Sequence, residues 1–204
     1  MAKPSVREKI VAAAAGRFHA LGYNACGVQE IVDAAGVPKG SFYNYFKAKE
    51  LLAREVLNNY WADAGLEILA DKSIAPLERL HRHFQNIASR YKKFGFENGC
   101  LVPKFMHEVS DSTPLLRTDL RKQIARWTAL IAEAIREGQA DRTISTSIDA
   151  ETTARFLIES WGGMTGAMKL AASRAPIDDF FAVAFGSVLQ PGTASTLRQR
   201  KTRA

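Results

Sequence analysis

The chain has 204 residues, of which 47% are hydrophobic, so it is long enough for one sizeable core or for a small domain joined to a larger one. Its net charge of +7 lies at the ends: residues 1–50 carry +3, residues 51–190 are neutral and residues 191–204 carry +4, a pattern that argues against a nonspecific DNA-coating protein, which would be basic throughout. No apolar run approaches the roughly 18 residues that span a bilayer and Met1–Arg7 lacks the apolar stretch of a signal peptide, so we expect a globular cytoplasmic protein.

The first fifty residues predict three helices. Ile10, Ala14, Phe18 and Leu21 recur at helical spacing, which predicts a helix from about Val6 to Leu21, with the glycine at position 22 as its cap. The stretch GVQEIVDAAG, residues 27–36, predicts a short second helix. A third helix is expected at about 38–45, because a proline is well tolerated in the first turn of a helix.

The rest of the chain also reads as helix after helix. An apolar face begins at Leu51, a strongly periodic helix follows Pro76, and a short helix is expected in PKFMHEVSD. Further helices are predicted from Pro114 to a stop at Gly138, over 149–173 and over 178–189. We therefore predict an all-α protein of about nine helices, with a DNA-binding head at 1–50, a sensing and dimerisation body at 51–190 and a basic, disordered tail at 191–204.

Helices two and three form a predicted helix-turn-helix, the unit that lays its second helix in the major groove of DNA. Apolar residues of this unit are spaced to pack the helices together. The residues left on or near the outer face are Lys39, Gly40, Ser41, Tyr43 and Asn44. Glycine costs a helix about 1 kcal/mol relative to alanine, and Gly40 would let the backbone approach a duplex closely.

Chemistry suggests a role for each of these side chains. Lys47, Lys49 and the hydroxyls of Ser41 and Tyr43 suit phosphates, whereas Lys39 and Asn44 could read base edges. The alternative for any single lysine is a solvated surface charge. Tyr45 and Phe46 are expected in the core beneath the head rather than on DNA.

The string GYNACGVQEIVDAAGVPKGSFYNYFKAKELL resembles the DNA-binding region of the TetR family of transcriptional repressors. The motif covers about the first fifty residues. The resemblance implies an all-helical homodimer whose two heads read a palindromic operator and whose larger domain binds an inducer. One departure is visible, because the family commonly has serine or threonine where Cys26 and Gly27 stand, so we leave both off the predicted DNA contacts.

The last two predicted helices are the expected dimer surface. Small residues there would allow close helix approach, and apolar side chains would supply contact area for a four-helix interface. The predicted interface residues are Leu157, Gly162, Gly166, Phe180, Phe181 and Phe185. The alternative is that these residues pack within a single subunit.

Cys100 is the predicted sensor residue. It precedes a proline by three residues, which places it at or near a helix N-terminus, a position that favours the nucleophilic thiolate form. The stretch GCLVPKFMHEVSD, with AMKLAASRAP beyond it, resembles the branch of the family close to the repressor of N-ethylmaleimide reductase, whose members respond to electrophiles and oxidants. In that comparison Lys169 matches a lysine that would stabilise the thiolate or trap an oxidised sulfur.

Two alternatives to the thiol sensor remain open. Cys100 is a small buried hydrophobe in one of them. In the other, an inducer binds without covalent chemistry in an apolar pocket lined by Phe84, Tyr91, Phe105, Met106, Trp127, Trp161 and Met164, although such residues are often plain core.

An enzyme is the alternative from another functional class, with Cys100 and His107 as its candidate pair. No third group is evident to orient the histidine, and the sequence lacks HExxH, GxSxG and a phosphate-binding glycine loop. The two cysteines, Cys26 and Cys100, are far apart and outside any Cys/His cluster, so we expect no disulfide and no metal site. No cofactor is predicted.

Overall fold

The computed structural model describes residues 3–92, 96 and 99–191, and within them it contains ten α-helices and no strand. The helices are α1 (Val6–Leu21), α2 (Val28–Ala35), α3 (Lys39–Tyr45), α4 (Lys49–Ala62), α5 (Leu66–Ala70), α6 (Pro76–Lys92), α7 (Leu101–Glu108), α8 (Pro114–Ala140), α9 (Ala150–Ala171) and α10 (Ala175–Val183). A π-helical turn, Ala184–Val188, follows α10. The prediction of an all-α protein is confirmed, and nearly all of the predicted tail, residues 192–204, lies outside the described residues.

Helix α1 begins with a capping box. The Ser5 hydroxyl accepts from the Glu8 N–H at 3.2 Å, and the Glu8 carboxylate accepts from the Ser5 N–H at 2.7 Å. The helix ends at Gly22, whose N–H donates to the Phe18 carbonyl and whose φ of 87° suits a residue without a side chain. The apolar residues that recur every four positions along this helix are fully buried: Ile10, Ala14 and Phe18.

The turn between α2 and α3 follows from its glycine and proline. Gly36 adopts a left-handed conformation, with φ 65° and ψ 39°, which ends α2. Pro38 is the N-cap residue of α3, so the helix begins at Lys39, one position after the predicted start. Phe42 on α3 is fully buried with Ile31 and Val32 of α2, so these side chains hold the two helices together.

Helix α4 joins the head to the body. It packs on α1 at one side and on α8 at the other. Helices α6, α8, α9 and α10 then surround an aromatic core in which the Trp161 ring lies 5.1 Å from that of Phe84 and 4.9 Å from that of Phe180. Among the described residues, no helix combines the length and apolar character needed to cross a membrane.

Helix α8 continues past the predicted stop at Gly138. This glycine lies inside the helix, where an added Cβ would come within 2.5 Å of Ile144 Cδ1. Its absent side chain therefore makes room for the chain returning toward α9. The helix ends instead at Ala140, and the carboxylate of its C-cap residue Asp141 accepts from Thr143 N–H.

Candidate DNA interface and sensor site

Helix α3 presents an exposed polar face. Lys39, Gly40 and Asn44 are exposed, Ser41 is half-buried, and Tyr43 is 56% exposed beside the buried ring of Phe42. Five predicted contacts thus share one end of the head. The arrangement leaves ammonium, amide and hydroxyl groups available to an external partner.

Nothing within the described part of the protein requires a glycine at position 40. A Cβ added there would meet no atom within 4 Å, and the residue lies within a helix rather than in a left-handed conformation. Because alanine is the better helix former, an internal cause for this glycine is lacking among the described residues. The open surface is consistent with close approach by another molecule.

Lys47 and Lys49 differ in their surroundings. Lys47 is exposed in the turn between α3 and α4. The Lys49 ammonium group instead donates to the carbonyls of Tyr23 at 2.7 Å and Cys26 at 2.9 Å, and burial lowers its pKa. Lys49 therefore fastens the loop before α2 to the start of α4 and is poorly placed to serve as a free phosphate contact.

The prediction for the pair Tyr45 and Phe46 is half wrong. Phe46 is buried against Phe42, as expected. Tyr45, the last residue of α3, is 47% exposed, whereas the backbone becomes extended at Phe46 and the Phe46 ring packs 5.8 Å from that of Phe42. Tyr45 is therefore a further candidate for DNA contact that sequence reasoning missed.

Cys100 is the N-cap residue of α7, as the position of Pro103 predicted. Its thiol is partly exposed, and Sγ lies 3.2 Å from the Tyr60 hydroxyl. Burial raises the pKa of Tyr60 well above its usual value, and the nearby Cys100 thiol contributes in the same direction. The phenol is therefore protonated and can donate a hydrogen bond to the sulfur. Cys26, in contrast, is fully buried in the head.

Lys169 on α9 lies beside the start of α7. A Cβ placed on Gly99 would be 3.9 Å from Lys169 Cδ, so the lysine passes the residue that precedes Cys100. Burial, and after it the positive charge of Lys169, lower the pKa of Lys104 on α7. The fold thus brings Lys169 to the end of α7 that carries the thiol.

Helix α7 also contacts the head, which the sequence did not predict. The Lys104 ammonium group donates to the His19 carbonyl and, at 3.4 Å, to that of Ala20. The Glu108 carboxylate accepts from the Asn24 N–H at 2.6 Å and occupies the space where Gly22 lacks a side chain. One short helix therefore links the Cys100 region to the end of α1.

The seven residues predicted to line an apolar pocket do not surround one common cavity in the structure. Of its seven residues, Phe84, Phe105, Trp127 and Trp161 pack in the core, Met106 is exposed, and Met164 lines a surface groove. Tyr91 alone among the seven lines a cavity of about 770 Å³, which lies between α1, α4, α6 and the start of α7. The rings of Phe84, Trp127 and Trp161 pack against one another, with the Phe84 ring 5.1 Å from that of Trp161 and 6.3 Å from that of Trp127.

The residues predicted for the dimer interface differ in their exposure in the structure. Leu157 is 0% exposed, Phe180 is 7% exposed beside a surface groove, and Gly162 is half-buried near Pro103 of α7, so their place in a dimer interface stays a prediction. Phe181 and Phe185 are half-buried against His81, and Gly166 is exposed. Exposed apolar side chains nearby include Phe156 (46%), Leu170 (91%) and Val183 (54%).

Phe156 and Val183 border a surface groove of about 290 Å³ between α9 and α10. On α9, Phe156, Gly163, Ala167 and Leu170 are exposed at helical spacing along one face. This face combines small residues with large apolar ones. Gly166 of the predicted set is exposed beside Gly163 and Ala167, whereas Leu157 is buried and its neighbour Phe156 is exposed.

The enzyme alternative gains no support from geometry. His107 is exposed near the far end of α7, while the Cys100 thiol contacts Tyr60. Within the described part of the chain, no group of three His, Cys, Asp or Glu side chains could hold a metal ion.

Comparison with known proteins identifies both halves of the chain. Residues 10–56 match the model for bacterial regulatory proteins of the tetR family, and residues 76–184 match that for the tetracyclin repressor-like C-terminal domain. The HTH-type transcriptional repressor DhaR of Mycobacterium sp. (strain GP1) is 35% identical over 192 residues, which cover 93% of this chain and 95% of DhaR.

Solved structures of related regulators have the same fold as this chain. The regulatory protein TetR from Rhodobacter sphaeroides superposes with a TM-score of 0.79 at 29% identity, covering 88% of this chain and 96% of that one. The E. coli repressor NemR in its reduced form gives 0.78 at 26% identity, with coverage of 92% and 98%. These proteins are regulators rather than enzymes.

Proposed function

The chain belongs to the TetR family of DNA-binding transcriptional regulators, and from this premise we propose that it is a dimeric repressor released from a palindromic operator by a chemical signal. We assign DNA binding to residues 1–50 and sensing and dimerisation to residues 51–190. The observation that carries the proposal is the exposed face of α3, where a side chain at Gly40 would meet no atom of the described residues. Operator DNA implies action in the cytoplasm.

In the proposed complex α3 lies in the major groove. Lys39 and Asn44 are suited to base edges, and Ser41, Tyr43, Tyr45 and Lys47 to phosphates, because all of them are at least partly exposed. Lys49 acts as a positioning residue that holds the loop before α2 through two carbonyls. Gly40 allows the backbone close to the duplex.

Dimerisation is proposed to use α9 and α10. The face formed by Phe156, Gly163, Ala167, Leu170 and Val183 is apolar and exposed, and its small residues permit close helix packing. A two-fold axis through this face would present two copies of α3 to half-sites about 34–36 Å apart.

The proposed signal is modification of Cys100 by an electrophile or oxidant. With a maleimide, the thiol adds across the ring double bond: an S–C bond forms, the π bond breaks, and the thiol proton ends on the neighbouring carbon. With a peroxide, the thiol becomes a sulfenic acid as the peroxide is reduced to an alcohol or water, and the Lys169 amine can then displace water to form an S–N bond. Either product disturbs the Tyr60 contact.

The change at Cys100 can reach the head through α7. Lys104 and Glu108, on the same helix, contact the end of α1 and the turn that follows it. A shift of α7 would therefore alter the position of α1 and with it α3. This connection supplies a physical route from a thiol adduct to altered DNA affinity.

Operator binding tests the proposal. The full chain should bind a palindromic duplex from the region upstream of its own gene more tightly than a scrambled duplex, and the affinity should fall as salt rises. Equal affinity for both duplexes would instead indicate nonspecific binding. No binding to either would leave the repressor proposal without support.

The sensor part is tested with N-ethylmaleimide. Treatment should release the parent protein and the Cys26→Ser variant from the operator, whereas the Cys100→Ser variant should stay bound. If Cys100→Ser is released as readily as the parent, the thiol is not the switch. Mass spectrometry of the treated parent verifies that Cys100 carries the adduct.

A further inference from the structure

The cavity between α1, α4 and α6 is unlike the predicted apolar pocket because it joins head to body. Val11 on α1, Val56 on α4 and Leu101 on α7 give it apolar walls, and Tyr60 and Tyr91 add aromatic ones. Its volume of about 770 Å³ lies within the range of small-molecule sites in proteins. A molecule held here would touch both parts of the chain at once.

One end of this cavity carries positive charge without a carboxylate partner. Arg90 lies over the Tyr60 ring at 4.4 Å, and its Nη1 donates only to the main-chain carbonyls of Tyr60 and Asp63. Among the described residues, no carboxylate lies within ion-pair distance of this guanidinium group. The remaining N–H groups of Arg90 are therefore available to a bound molecule.

His19 stands at the same end. Its Nδ1 is buried and has no hydrogen-bond partner among the described residues, which is unusual for a buried polar atom. Burial, then the charges of Lys104 and Arg90, lower the pKa of His19 to about 4, so the imidazole is neutral and sits in a positive field. A ligand oxygen could satisfy this nitrogen.

The carboxylates that border the cavity are engaged or peripheral. Glu55 pairs with Arg7 at 2.5 Å, and Glu8 caps the exposed start of α1 through Ser5. Asp63 is exposed beyond the end of α4 and makes no ion pair with Arg90. Their charges are thus balanced or solvated, and within the described part of the chain Arg90 is left without a compensating charge at the buried end.

We propose that this cavity binds an organic anion, a carboxylate with an apolar body, whose charged group pairs with Arg90 and hydrogen-bonds His19. Its apolar body would lie along α1 and α4. The inference deepens the proposed function and depends on it for its regulatory meaning, since a ligand between α1 and the body would change how the head is held. Gly99 and Leu101, which flank Cys100, line the same cavity.

Calorimetric titration of the full chain with hexanoate, octanoate and decanoate tests the proposal. Each acid is compared with the alcohol and the amine of the same chain length. We expect the carboxylates to bind on the order of tenfold or more tightly than the alcohols, because a charge-assisted bond to arginine is gained. Equal affinity for acids and alcohols, or preference for the amines, would overturn it.

Variants locate the binding. Arg90→Gln should remove the preference for carboxylates, Arg90→Lys should retain part of it, and Arg82→Gln, on the exposed side of the same helix, should leave it unchanged. A preference that survives in a folded Arg90→Gln protein would contradict the assignment. Operator binding measured without any acid separates the two proposals, because it tests the repressor function alone.

Discussion

The Lys104 ammonium group donates a hydrogen bond to the main-chain carbonyl of His19, and this contact joins the helix that begins at Cys100 to the last turn of α1. It lies beside the cavity, because His19 is also one of the lining residues. The two proposed signals, a thiol adduct and a bound anion, would therefore act on the same junction between head and body.

Removing this contact should uncouple the sensor from DNA. We expect Lys104→Met to bind the operator as the parent does but to lose most of the effect of Cys100 alkylation, for which coupling free energies are typically about 1–3 kcal/mol. Fluorescence anisotropy with a labelled operator, before and after N-ethylmaleimide, measures the change. Lys122→Met on the exposed surface of α8 is the control. Full release of Lys104→Met would show that the contact is not needed.

A substitution at position 40 should raise the stability of the protein and lower its affinity for DNA. Because alanine is the better helix former and would meet no atom of the protein, Gly40→Ala should raise the free energy of unfolding by about 0.5–1 kcal/mol. Operator affinity should fall by about tenfold or more as the added methyl group holds α3 away from DNA. Urea denaturation and anisotropy supply the two values.

Gly16→Ala is the matched control for this change, since Gly16 also lies within a helix with no atom near its missing Cβ. It should gain stability without losing operator affinity. Unchanged DNA binding by Gly40→Ala would remove the main support for the placement of α3.

Substitutions of Lys47 and Lys49 should have different effects, one on DNA binding and the other on protein stability. Lys47→Met should keep its stability but reduce the salt dependence of operator binding, by about one unit of slope for each phosphate that is no longer neutralised. Lys49→Met should destabilise the head by about 1–3 kcal/mol, because the carbonyls of Tyr23 and Cys26 lose a charged donor. Salt titrations and thermal unfolding distinguish the two. A loss of stability in Lys47→Met, or unchanged stability with reduced salt dependence in Lys49→Met, would contradict the geometry.

The apolar face of α9 and α10 should control assembly. Phe156→Glu and Val183→Glu each place a charge in the proposed interface, so sedimentation velocity should show a shift from dimer to monomer, with weaker binding to the palindrome. Ile148→Glu, which replaces an equally exposed apolar side chain before α9, should remain dimeric. Dimers of unchanged stability in both interface variants would place the contact elsewhere.

Acid should destabilise the body through His83. Its Nε2 accepts from Trp127 Nε1 at 2.7 Å and Nδ1 lies 3.1 Å from the Gly65 carbonyl, so the imidazole is held neutral. Burial lowers its pKa from 6.5 to about 4, which means that the unfolded chain binds a proton more readily than the folded one. Stability is therefore present above pH 6.5 and is lost as the pH falls toward 4.

For His83 the loss should be about 2 kcal/mol between pH 7 and pH 5, as urea denaturation at the two values would measure. His83→Gln should show a smaller difference than the parent. His19 contributes in the same direction. A pH dependence that is unaffected in His83→Gln would show that other groups carry it.

Local patterns predicted much of this molecule. The repeat of Ile10, Ala14 and Phe18, the glycine after α1 and the proline before α3 indicated the helices of the head, because periodicity and capping depend on neighbours in the chain. The same reasoning placed Cys100 at the start of α7. It failed at Gly138, where a glycine that resembles a stop is needed for contact with Ile144.

The sequence by itself determined the helical class, the helix-turn-helix and the candidate face of α3, since these depend on spacing within a few turns. Only the tertiary structure decided that Phe156 rather than Leu157 is exposed, that Lys49 binds carbonyls while Lys47 is exposed, and that the cavity lies beside Arg90 rather than among the tryptophans. The physical reason is that a helix turns about 100° per residue, so apolar spacing identifies stripes but not which stripe meets a neighbouring helix. Contacts such as that of Lys104 with His19 join residues far apart in the chain, and only packing brings them together.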